Sequence, residues 1–435
     1  MTPESQPQVD VRAVGNPHAV LIAIALVAGL AELGYAVMNV SAMPVYLHES
    51  MHYGASSVAA IGTAFLLCEG LLKGPFGVVG DHVGRKWLII AGPLVSAVTA
   101  LLTLMVKPDQ WYFFVLLRLL DGFGAAALWP SALVMMADVI DENRRSQAMS
   151  LFNVTYLVGI ALGPFIGGAA NDLSAQIMPG VDKYRASFYV ISFLFMLTAA
   201  VAWWRIPNIP PHPHEPSELE SGFSFKALLH SIKQVPEALL MSFVTFFGIG
   251  LVMLIVKLFA LHEFALSETQ FGALLLAPCL VIAVASVPLG TIGDRIGQAR
   301  AVRWGLGICA FSMCGVPFVH ADLPFLVKAA GMIVGGSLIG VGFVISFPSW
   351  MAYVSRACSA RQRGAVMGAV GTAQGLGAMI GAPLGGYLYE HADLRISFMP
   401  WINSHYAPFI GCAGLLLVAW VLALTTIKEG PPRCS

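Results

Sequence analysis

Long apolar runs alternate with short polar segments along almost the whole chain. A bilayer core about 30 Å thick is crossed by roughly 20 apolar residues of helix, and runs of this size recur. The pattern predicts twelve membrane-spanning helices, spans 1 to 12, in an all-α membrane protein. Their centres lie near Ala31, Phe65, Ala97, Ala126, Val158, Phe195, Val252, Val281, Ala310, Gly340, Ala373 and Leu416.

A polar segment divides the spans into two groups of six. It follows span 6 and contains the run Pro210–His214, which cannot continue a helix. The first apolar run is far longer than the core of a signal peptide, so it predicts a membrane span that is not cleaved off. We expect an N-terminal tail, a six-helix bundle, a linker, a second six-helix bundle and a C-terminal tail, at residues 1–17, 18–206, 207–235, 236–427 and 428–435.

The composition excludes an ordinary water-soluble domain. Hydrophobic residues make up 57% of the chain and charged residues 11%, whereas soluble domains carry about 25% charged residues. Lys plus Arg and Asp plus Glu number 24 each, so the net charge favours no nucleic-acid partner.

The sequence offers no pattern typical of a metal or cofactor site. The seven cysteines are scattered without metal-ligand spacing and are interpreted as packing residues. His212 and His214 leave a metal-binding segment open, but a solvated linker is the favoured interpretation. We therefore predict no metal and no cofactor.

The positive charges predict an orientation. The loops on the side of both termini carry sixteen Lys and Arg, and the opposite loops carry four, namely Lys107, Lys183, Arg185 and Arg395. Cytoplasmic loops keep the excess of positive residues. The chain is thus expected to be a multi-pass protein of a bacterial inner (plasma) membrane with both termini and the linker in the cytoplasm.

The two halves repeat each other at fixed offsets. The residues Gly122, Gly124, Pro130, Ser131, Arg145 and Met149 recur 218 positions later, and so do Gly163, Gly167 and Gly168. A second set, Gly77, Gly80, Asp81 and Gly84, recurs 213 positions later as Gly290, Gly293, Asp294 and Gly297. A duplicated six-helix unit predicts two pseudo-symmetric bundles with a binding site between them near the membrane midplane.

The loop after span 2 is expected to act as a conformational latch. It begins with Gly77 and Gly80, and continues through Asp81, Gly84 and Arg85. The glycines permit close helix approach and a tight reversal, and Asp81 can cap a helix N-terminus or pair with a basic group. The second copy keeps Asp294 and Arg295 but has Gln298 and Ala299 where a basic pair would fall.

This loop resembles the signature of the major facilitator superfamily, although Val79 and His82 depart from its commoner residues. The resemblance extends from span 1 to span 12. It implies the superfamily fold of twelve helices in two pseudo-symmetric bundles, which move a solute by alternating access.

Two further elements are similar to motifs of that superfamily. Span 4 carries Arg118, Asp121, Gly122 and Gly124, which resemble an Arg-x-x-x-Gly-x-Gly element tied to proton transfer in proton-coupled members. Asp121 is unusual there, and its spacing of three from Arg118 allows an ion pair on one helix face. Span 5 resembles the element of exporting antiporters and thus favours the drug/proton antiporter branch; its residues are Gly159, Gly163, Pro164, Gly167 and Gly168.

Charges inside the spans are candidates for proton coupling, because a charge at the bilayer centre costs about 2.5 to 3.5 kcal/mol unless it is paired or faces water. Glu32 lies near the centre of span 1, as does an essential acid in the multidrug/proton antiporters that the chain resembles. We predict that Glu32, Arg118 and Asp121 couple protons to transport. The alternative is a structural Glu32 carboxylate bound to Arg118 or Lys73.

Other polar residues in the spans are candidates for the substrate cavity. Glu69 and Lys73 can form either a structural ion pair or part of that cavity. Lys257 and Lys328 can extend to the membrane interface, or Lys257 can face the cavity. The predicted cavity residues are Asn39, Glu69, Lys73, Asn153, Tyr156, Lys257 and Gln374, with helix–helix hydrogen bonding as the alternative for Asn153, Tyr156 and Gln374.

The leading hypothesis is a proton-coupled antiporter that exports small, partly hydrophobic organic compounds. The excess of cations Lys73, Arg118, Lys257 and Lys328 keeps open a carrier of a metabolite, organic anion or lipid. A non-transporting assembly factor or sensor is a more remote alternative. An enzyme is not expected, because the sequence lacks nucleophile, phosphate-loop and metal-binding patterns. The expected partners are a small-molecule substrate, protons and membrane lipids, and the expected state is a monomer.

Overall fold

A computed structural model describes residues 17–139, 145–208, 236–357, 360–394 and 399–427 of the chain. These residues form helices joined by short turns, and no strand occurs among them. The predicted linker and both tails lie almost entirely outside the described residues. So do the side chains of Asp81 and Asn153.

The first half contains six long helices, α1 to α6. In five of them proline or glycine residues interrupt the sequence without ending the helix, since neighbouring helices can satisfy the freed backbone groups inside a membrane. The helices are α1 (Pro17–Ala36), α2 (Ala55–Val83), α3 (Arg85–Thr103), α4 (Trp111–Val139), α5 (Arg145–Ile177) and α6 (Ala186–Arg205).

Helix α1 continues beyond Ala36 with an irregular extension. Two π-helical segments, Val37–Ala42 and Tyr46–Ser50, flank the turn Met43–Val45. Pro44 lies in this turn and has no N–H for the usual helical bond, so the ladder is interrupted there. Such π segments occur often at functional sites, and this one carries Asn39.

The second half repeats this arrangement with two of its spans broken. The predicted span 7 is divided at Leu254 and Ile255, and the predicted span 8 is divided at Thr291. The helices are α7 (Pro236–Met253), α8 (Val256–Phe264), α9 (Glu268–Gly290), α10 (Ile292–Ile296), α11 (Gln298–Cys314), α12 (Phe325–Ala357), α13 (Ala360–His391) and α14 (Ala407–Thr426).

Every predicted span centre falls within a helix. Eleven stretches of the described residues are long and apolar enough to cross a membrane. Helix α13 is long enough but is not among the eleven, because its many glycines and Gln374 lower its mean hydropathy. The structure thus agrees with an all-α membrane fold, and the number twelve stays a prediction.

The internal repeat of the sequence has a counterpart in the backbone. Gly84 and Gly297 end corresponding helices with φ of 95° and 98°, a conformation that strongly favours glycine. Gly92 of α3 touches Gly124 of α4, and the equivalent crossing joins α11 to α12 at Gly305 and Gly342. Both bundles therefore use the same turn and the same close helix crossing.

The glycines of the antiporter-like motif place α5 directly against α1. Gly159, Gly163 and Gly167 each lie so close to the α1 chain that a side chain could not be added without displacement. In the second half Gly377, Gly381 and Gly385 pack in the same way on α7. The motif therefore has a packing role that the repeat reproduces.

The next glycine of each motif joins one half to the other. Gly168 of α5 packs on Glu268 at the start of α9, and Gly386 of α13 packs on Ala55 at the start of α2. Pro164 and Phe165 also lie against Gly272 of α9. These contacts lie at what we call the distal end, where the loops between α1 and α2, α5 and α6, and α8 and α9 are found. The halves meet closely at this end.

Candidate functional site

The first group of polar side chains surrounds Glu32 in the first half. Glu32 lies on α1 with 8% of its surface exposed, and Tyr156 of α5 lies near its carboxylate. Gly159, one turn after Tyr156, allows α5 to approach α1 at Glu32 itself. Glu69 and Lys73 of α2 lie near enough to act on Glu32 electrostatically. We call Glu32, Glu69, Lys73 and Tyr156 the acid cluster.

The cations around Glu32 are bound to other acids. Lys73 Nζ lies 2.8 Å from Glu69 Oε1, and Arg118 pairs with Asp121. Among the described side chains, no lysine or arginine forms an ion pair with Glu32. The expected Glu69–Lys73 pair is therefore present, whereas direct binding of Glu32 to Arg118 or Lys73 is not observed.

The second group is centred on Arg118 of α4. Its Nη1 donates to Asp121 Oδ2 at 2.5 Å, and its Nη2 donates to Asn39 Oδ1 in the π segment after α1. The guanidinium lies over the Phe65 ring, 4.5 Å from its centroid. Arg118 Nε is buried without a hydrogen-bond partner among the described residues. Asp121 also lies within reach of the Ser96 hydroxyl.

Tyr35 lies near both groups, and the sequence analysis did not single it out. Its hydroxyl lies 3.0 Å from Ser96 Oγ, and its ring packs against Phe65 and Phe195. Tyr35 lies three residues after Glu32 on the same helix. That spacing is the signal from which its position beside the acid cluster could have been predicted.

The third group, which we call the distal lock, lies where the two halves meet. Lys257 Nζ of α8 lies 2.5 Å from Glu268 Oε2 of α9 and donates to both oxygens of Ser41 on the α1 extension. Asn171 of α5 donates to the same Glu268 carboxylate. Lys257 is only 1% exposed and Glu268 2%. The lock thus joins α1 and α5 of the first half to α8 and α9 of the second.

Lys257 lies buried in the distal lock, where Glu268 binds its ammonium group. Sequence reasoning missed Glu268 and Asn171, since nothing in their local patterns indicates a partner on the other half. Lys328, in contrast, donates to the carbonyl oxygens of Phe264 and Ala321 near the distal loops.

A cavity of about 530 Å³ lies in the second half and reaches α5. It separates two apolar clusters of that half, one at the distal end and one at the opposite end. Its lining is largely apolar and aromatic, with Phe246, Phe347 and Trp350 among the rings. Leu157 of α5 also lines it and directly follows Tyr156. Helix α5 therefore contributes one residue to the cavity and the preceding residue to the acid cluster.

Gln374 is the predicted cavity residue that lines this space. Its Nε2 is buried and has no hydrogen-bond partner among the described residues. The Trp350 indole, in contrast, donates to Ser242 Oγ at 3.1 Å. The cavity therefore has a largely apolar surface, and the buried Gln374 amide beside it has no hydrogen-bond partner among the described residues.

The predicted latch regions lie at the end opposite the distal lock. Asp294 accepts a hydrogen bond from Gln298 Nε2 at 2.9 Å and lies 3.5 Å from Arg356, while Arg295 is exposed. Gln298 thus occupies the position that corresponds to Arg85 in the first copy. A side chain added at Gly77 would meet no described atom within 4 Å, so the latch role of this loop stays a prediction.

Comparison with known proteins agrees with this architecture. The family model described as Major Facilitator Superfamily matches residues 24–237 and 238–433. The Bacillus subtilis (strain 168) protein named Multidrug resistance protein 2 is 24% identical over 387 residues, which cover 88% of this chain and 89% of that protein. The Escherichia coli (strain K12) protein named Inner membrane transport protein YajR is 26% identical over 407 residues, covering 89% and 80%.

Solved structures show the same fold at low identity. The nucleoside transporter NupG has a TM-score of 0.73 at 11% identity, covering 94% of this chain and 100% of that one. A structure described under substrate recognition in proton dependent oligopeptide transporters has a TM-score of 0.74 at 15% identity, covering 94% and 97%. The resemblance stated from the motifs is confirmed, and the protein is an integral multi-pass membrane transporter rather than an enzyme. The chain belongs to the major facilitator superfamily.

Proposed function

We propose that the protein is a proton-coupled antiporter that exports small, partly hydrophobic organic compounds by alternating access. The observation that carries this proposal is the buried Glu32 carboxyl group, which no described lysine or arginine binds directly. A carboxyl group inside a membrane protein that lacks a fixed cationic partner is suited to gain and lose a proton. Glu32 is therefore the proposed coupling group.

The surroundings of Glu32 support this assignment. Tyr156 supplies a hydroxyl donor to the carboxylate, and Glu69 acts on it with a like charge while Lys73 acts with the opposite charge. Movement of α2 relative to α1 changes both electrostatic effects at once. Proton binding at Glu32 is in this way linked to the arrangement of the helices.

The proposed substrate site is the apolar cavity of the second half. Its volume of about 530 Å³ lies within the range of small-molecule pockets, which are mostly apolar with a few placed polar groups. The Gln374 amide is such a group and can donate to an acceptor on the substrate. A compound in this cavity would contact Leu157, one residue from the hydroxyl that serves Glu32.

The pairing of the membrane cations gives less support to an organic-anion carrier. Lys73, Arg118 and Lys257 each form an ion pair with a carboxylate, on Glu69, Asp121 and Glu268 respectively. Three of the four cations that the sequence suggested are therefore balanced locally, and the fourth, Lys328, donates to backbone carbonyl oxygens near the distal loops. The names of multidrug resistance proteins among the relatives agree with the export of organic compounds.

Alternating access would use the distal lock as one gate. The halves meet at the distal end, whereas Gly70, Gly77 and Gly290 near the opposite end of α2 and α9 have no described atom within 4 Å of an added side chain. The positive charges predict that the termini lie on the cytoplasmic side of the membrane. In that orientation the arrangement is closed to the outside and open to the cytoplasm. Export would then require the distal lock to open and the motif loops to approach each other.

The test is transport by the purified protein in proteoliposomes with an imposed pH gradient, followed by the fluorescence of ethidium, a lipophilic cation. We expect gradient-driven ethidium flux in the original protein and its loss in Glu32→Gln, with ethidium binding kept. The matched control is Glu237→Gln at the exposed start of α7, which should transport normally. Unchanged gradient-driven flux in Glu32→Gln would remove Glu32 from the mechanism.

A stability screen separates the substrate classes. If the proposal is right, ethidium and related lipophilic cations raise the midpoint of thermal unfolding in proportion to their affinity. Stabilisation by organic anions alone, without ethidium flux, contradicts the export proposal and favours the metabolite carrier.

A further inference from the structure

A group of metal-ligating side chains lies at the distal end, outside the acid cluster and the lock. One ligand atom from each of His48, Glu49 and His262 can be chosen so that all lie within 4.8 Å of one another. His48 and Glu49 belong to the π-helical end of the α1 extension, and His262 belongs to α8. The three side chains therefore come from both halves of the protein.

The His48 ring is already oriented as a metal ligand. Its Nδ1 lies 2.8 Å from the carbonyl oxygen of Tyr53, and a carbonyl can only accept, so this nitrogen carries the hydrogen. The lone pair is thereby left on Nε2. Metal-binding histidines are commonly held in this way, with the other ring nitrogen donating to a carbonyl.

The His262 ring is held from its other side. Its Nδ1 lies 3.2 Å from the Tyr389 hydroxyl, and its Nε2 lies 3.1 Å from Glu49 Oε1. An ionised carboxylate can only accept, so in this contact Nε2 carries the hydrogen and Nδ1 accepts from the Tyr389 hydroxyl. To bind a cation, His262 must change to the tautomer whose Nδ1 donates to the Tyr389 oxygen. The cation then takes the place of the hydrogen between Nε2 and Glu49 Oε1.

The site is accessible and carries a favourable charge. The His262 and Glu49 side chains are 30% and 34% exposed, so an ion can enter from solvent. With neutral imidazoles the three ligands carry one negative charge, and Glu390 adds a further carboxylate near His48. The neighbouring Glu263 is bound to His405 and Asn403 and does not compete for His262.

We propose that His48, Glu49 and His262 form a binding site for a divalent transition-metal ion of the zinc class, which joins the two halves at the distal end. Two imidazoles and a carboxylate, with water in the fourth position, make a set that Zn²⁺ accepts, whereas Ca²⁺ and Mg²⁺ prefer oxygen ligands. Tetrahedral Zn²⁺ with bonds of about 2.0–2.1 Å needs ligand atoms roughly 3.3 Å apart. The side chains of this half-buried helix end can close that distance by rotation.

The experiment measures Zn²⁺ binding to the purified full-length chain by calorimetric titration, without substrate and after removal of any histidine tag. We expect saturation at one ion per chain, and a rise in the thermal unfolding midpoint because the ion binds the folded state. His48→Ala and His262→Ala should each weaken binding at least about tenfold. Tyr389→Phe should weaken it by about tenfold through the lost support of the ring.

Controls separate this site from other histidines. His82→Ala, at the opposite end of the molecule, and a double His212→Ala, His214→Ala variant of the linker should bind Zn²⁺ like the original protein. If the histidine variants do not fold, Glu49→Gln tests the same site. The proposal is overturned if the original protein shows no saturable binding, if binding survives in both His48→Ala and His262→Ala, or if the linker variant abolishes it. None of these outcomes depends on transport.

Discussion

The ammonium nitrogen of Lys257 lies 2.5 Å from the carboxylate of Glu268 in a place where both side chains are almost fully buried. The pair does more than join α8 to α9, because Lys257 also donates to Ser41 and Glu268 accepts from Asn171. Two helices of the first half are in this way bound to two helices of the second. A buried ion pair of this kind stabilises a structure only while both partners and their hydrogen bonds are present.

Removal of one partner of the distal lock should destabilise the protein strongly. Lys257→Met leaves the buried Glu268 carboxylate with only the partly exposed Lys183, 4.0 Å away, as a cation, and loss of a buried partner typically costs about 3–5 kcal/mol. The double variant Lys257→Met, Glu268→Gln removes both charges and should recover much of that loss. The measurement is the free energy of unfolding of each variant in detergent. Equal losses in the single and double variants would show that the pair does not act as a unit.

Substitution of Arg118 by lysine should impair the protein although the charge is kept. Arg118 donates to Asp121 from one nitrogen and to Asn39 from another, and a lysine ammonium cannot reproduce this forked geometry. Loss of a hydrogen bond to a charged group costs about 1.5–3 kcal/mol. The matched control is Arg205→Lys at the exposed end of α6, which should unfold like the original protein. Thermal unfolding and ethidium flux of both variants provide the comparison.

The glycines of the α5 motif should tolerate no side chain. In Gly159→Ala the new Cβ would lie 2.9 Å from Glu32 Cβ and 2.8 Å from the Leu33 nitrogen, so α1 and α5 must separate. Overpacking of this kind typically costs about 1–3 kcal/mol. In Gly414→Ala of α14 the new Cβ meets no described atom within 4 Å, and alanine should be neutral or stabilise the helix by about 0.5–1 kcal/mol. An equal effect of both changes on the unfolding midpoint would contradict this explanation.

Replacement of Gln374 should affect the stability of the protein and its affinity for substrate in different ways. The Gln374 Nε2 group is buried without a partner among the described residues, and such a group costs about 1–3 kcal/mol. Gln374→Leu removes this cost and fits the apolar lining, so the free energy of unfolding should stay equal or rise. Affinity for a substrate that accepts the amide hydrogen should fall. A variant that loses stability and keeps its affinity would place Gln374 outside the binding site.

Several features of the site could be predicted from local sequence. The Glu69–Lys73 and Arg118–Asp121 pairs follow from spacings of four and three residues, which bring side chains together on one helix face. The glycines of the α5 motif are small enough to let helices pack closely, and α1 is the helix that they contact. Such features depend on neighbours within one helix or on the size of a side chain, both of which the sequence states directly.

Other features depend on contacts between distant segments. Lys257 and Glu268 lie eleven residues apart on two separate helices, and their partners Ser41 and Asn171 belong to the other half of the chain. The sequence analysis found no metal-ligand spacing, yet His48 and His262 approach each other across the distal end. Neither arrangement leaves a local pattern, because their residues meet only after the two bundles have packed together.

The sequence by itself determined the membrane class, the helical content, the two-fold repeat and the superfamily. It did so because apolar run length, glycine positions and charge distribution act locally and are repeated in both halves. Only the tertiary structure decided which buried charges are paired, where the apolar cavity lies and at which end the halves are joined. These are properties of the space between helices, and helix packing sets them rather than the order of residues along any one helix.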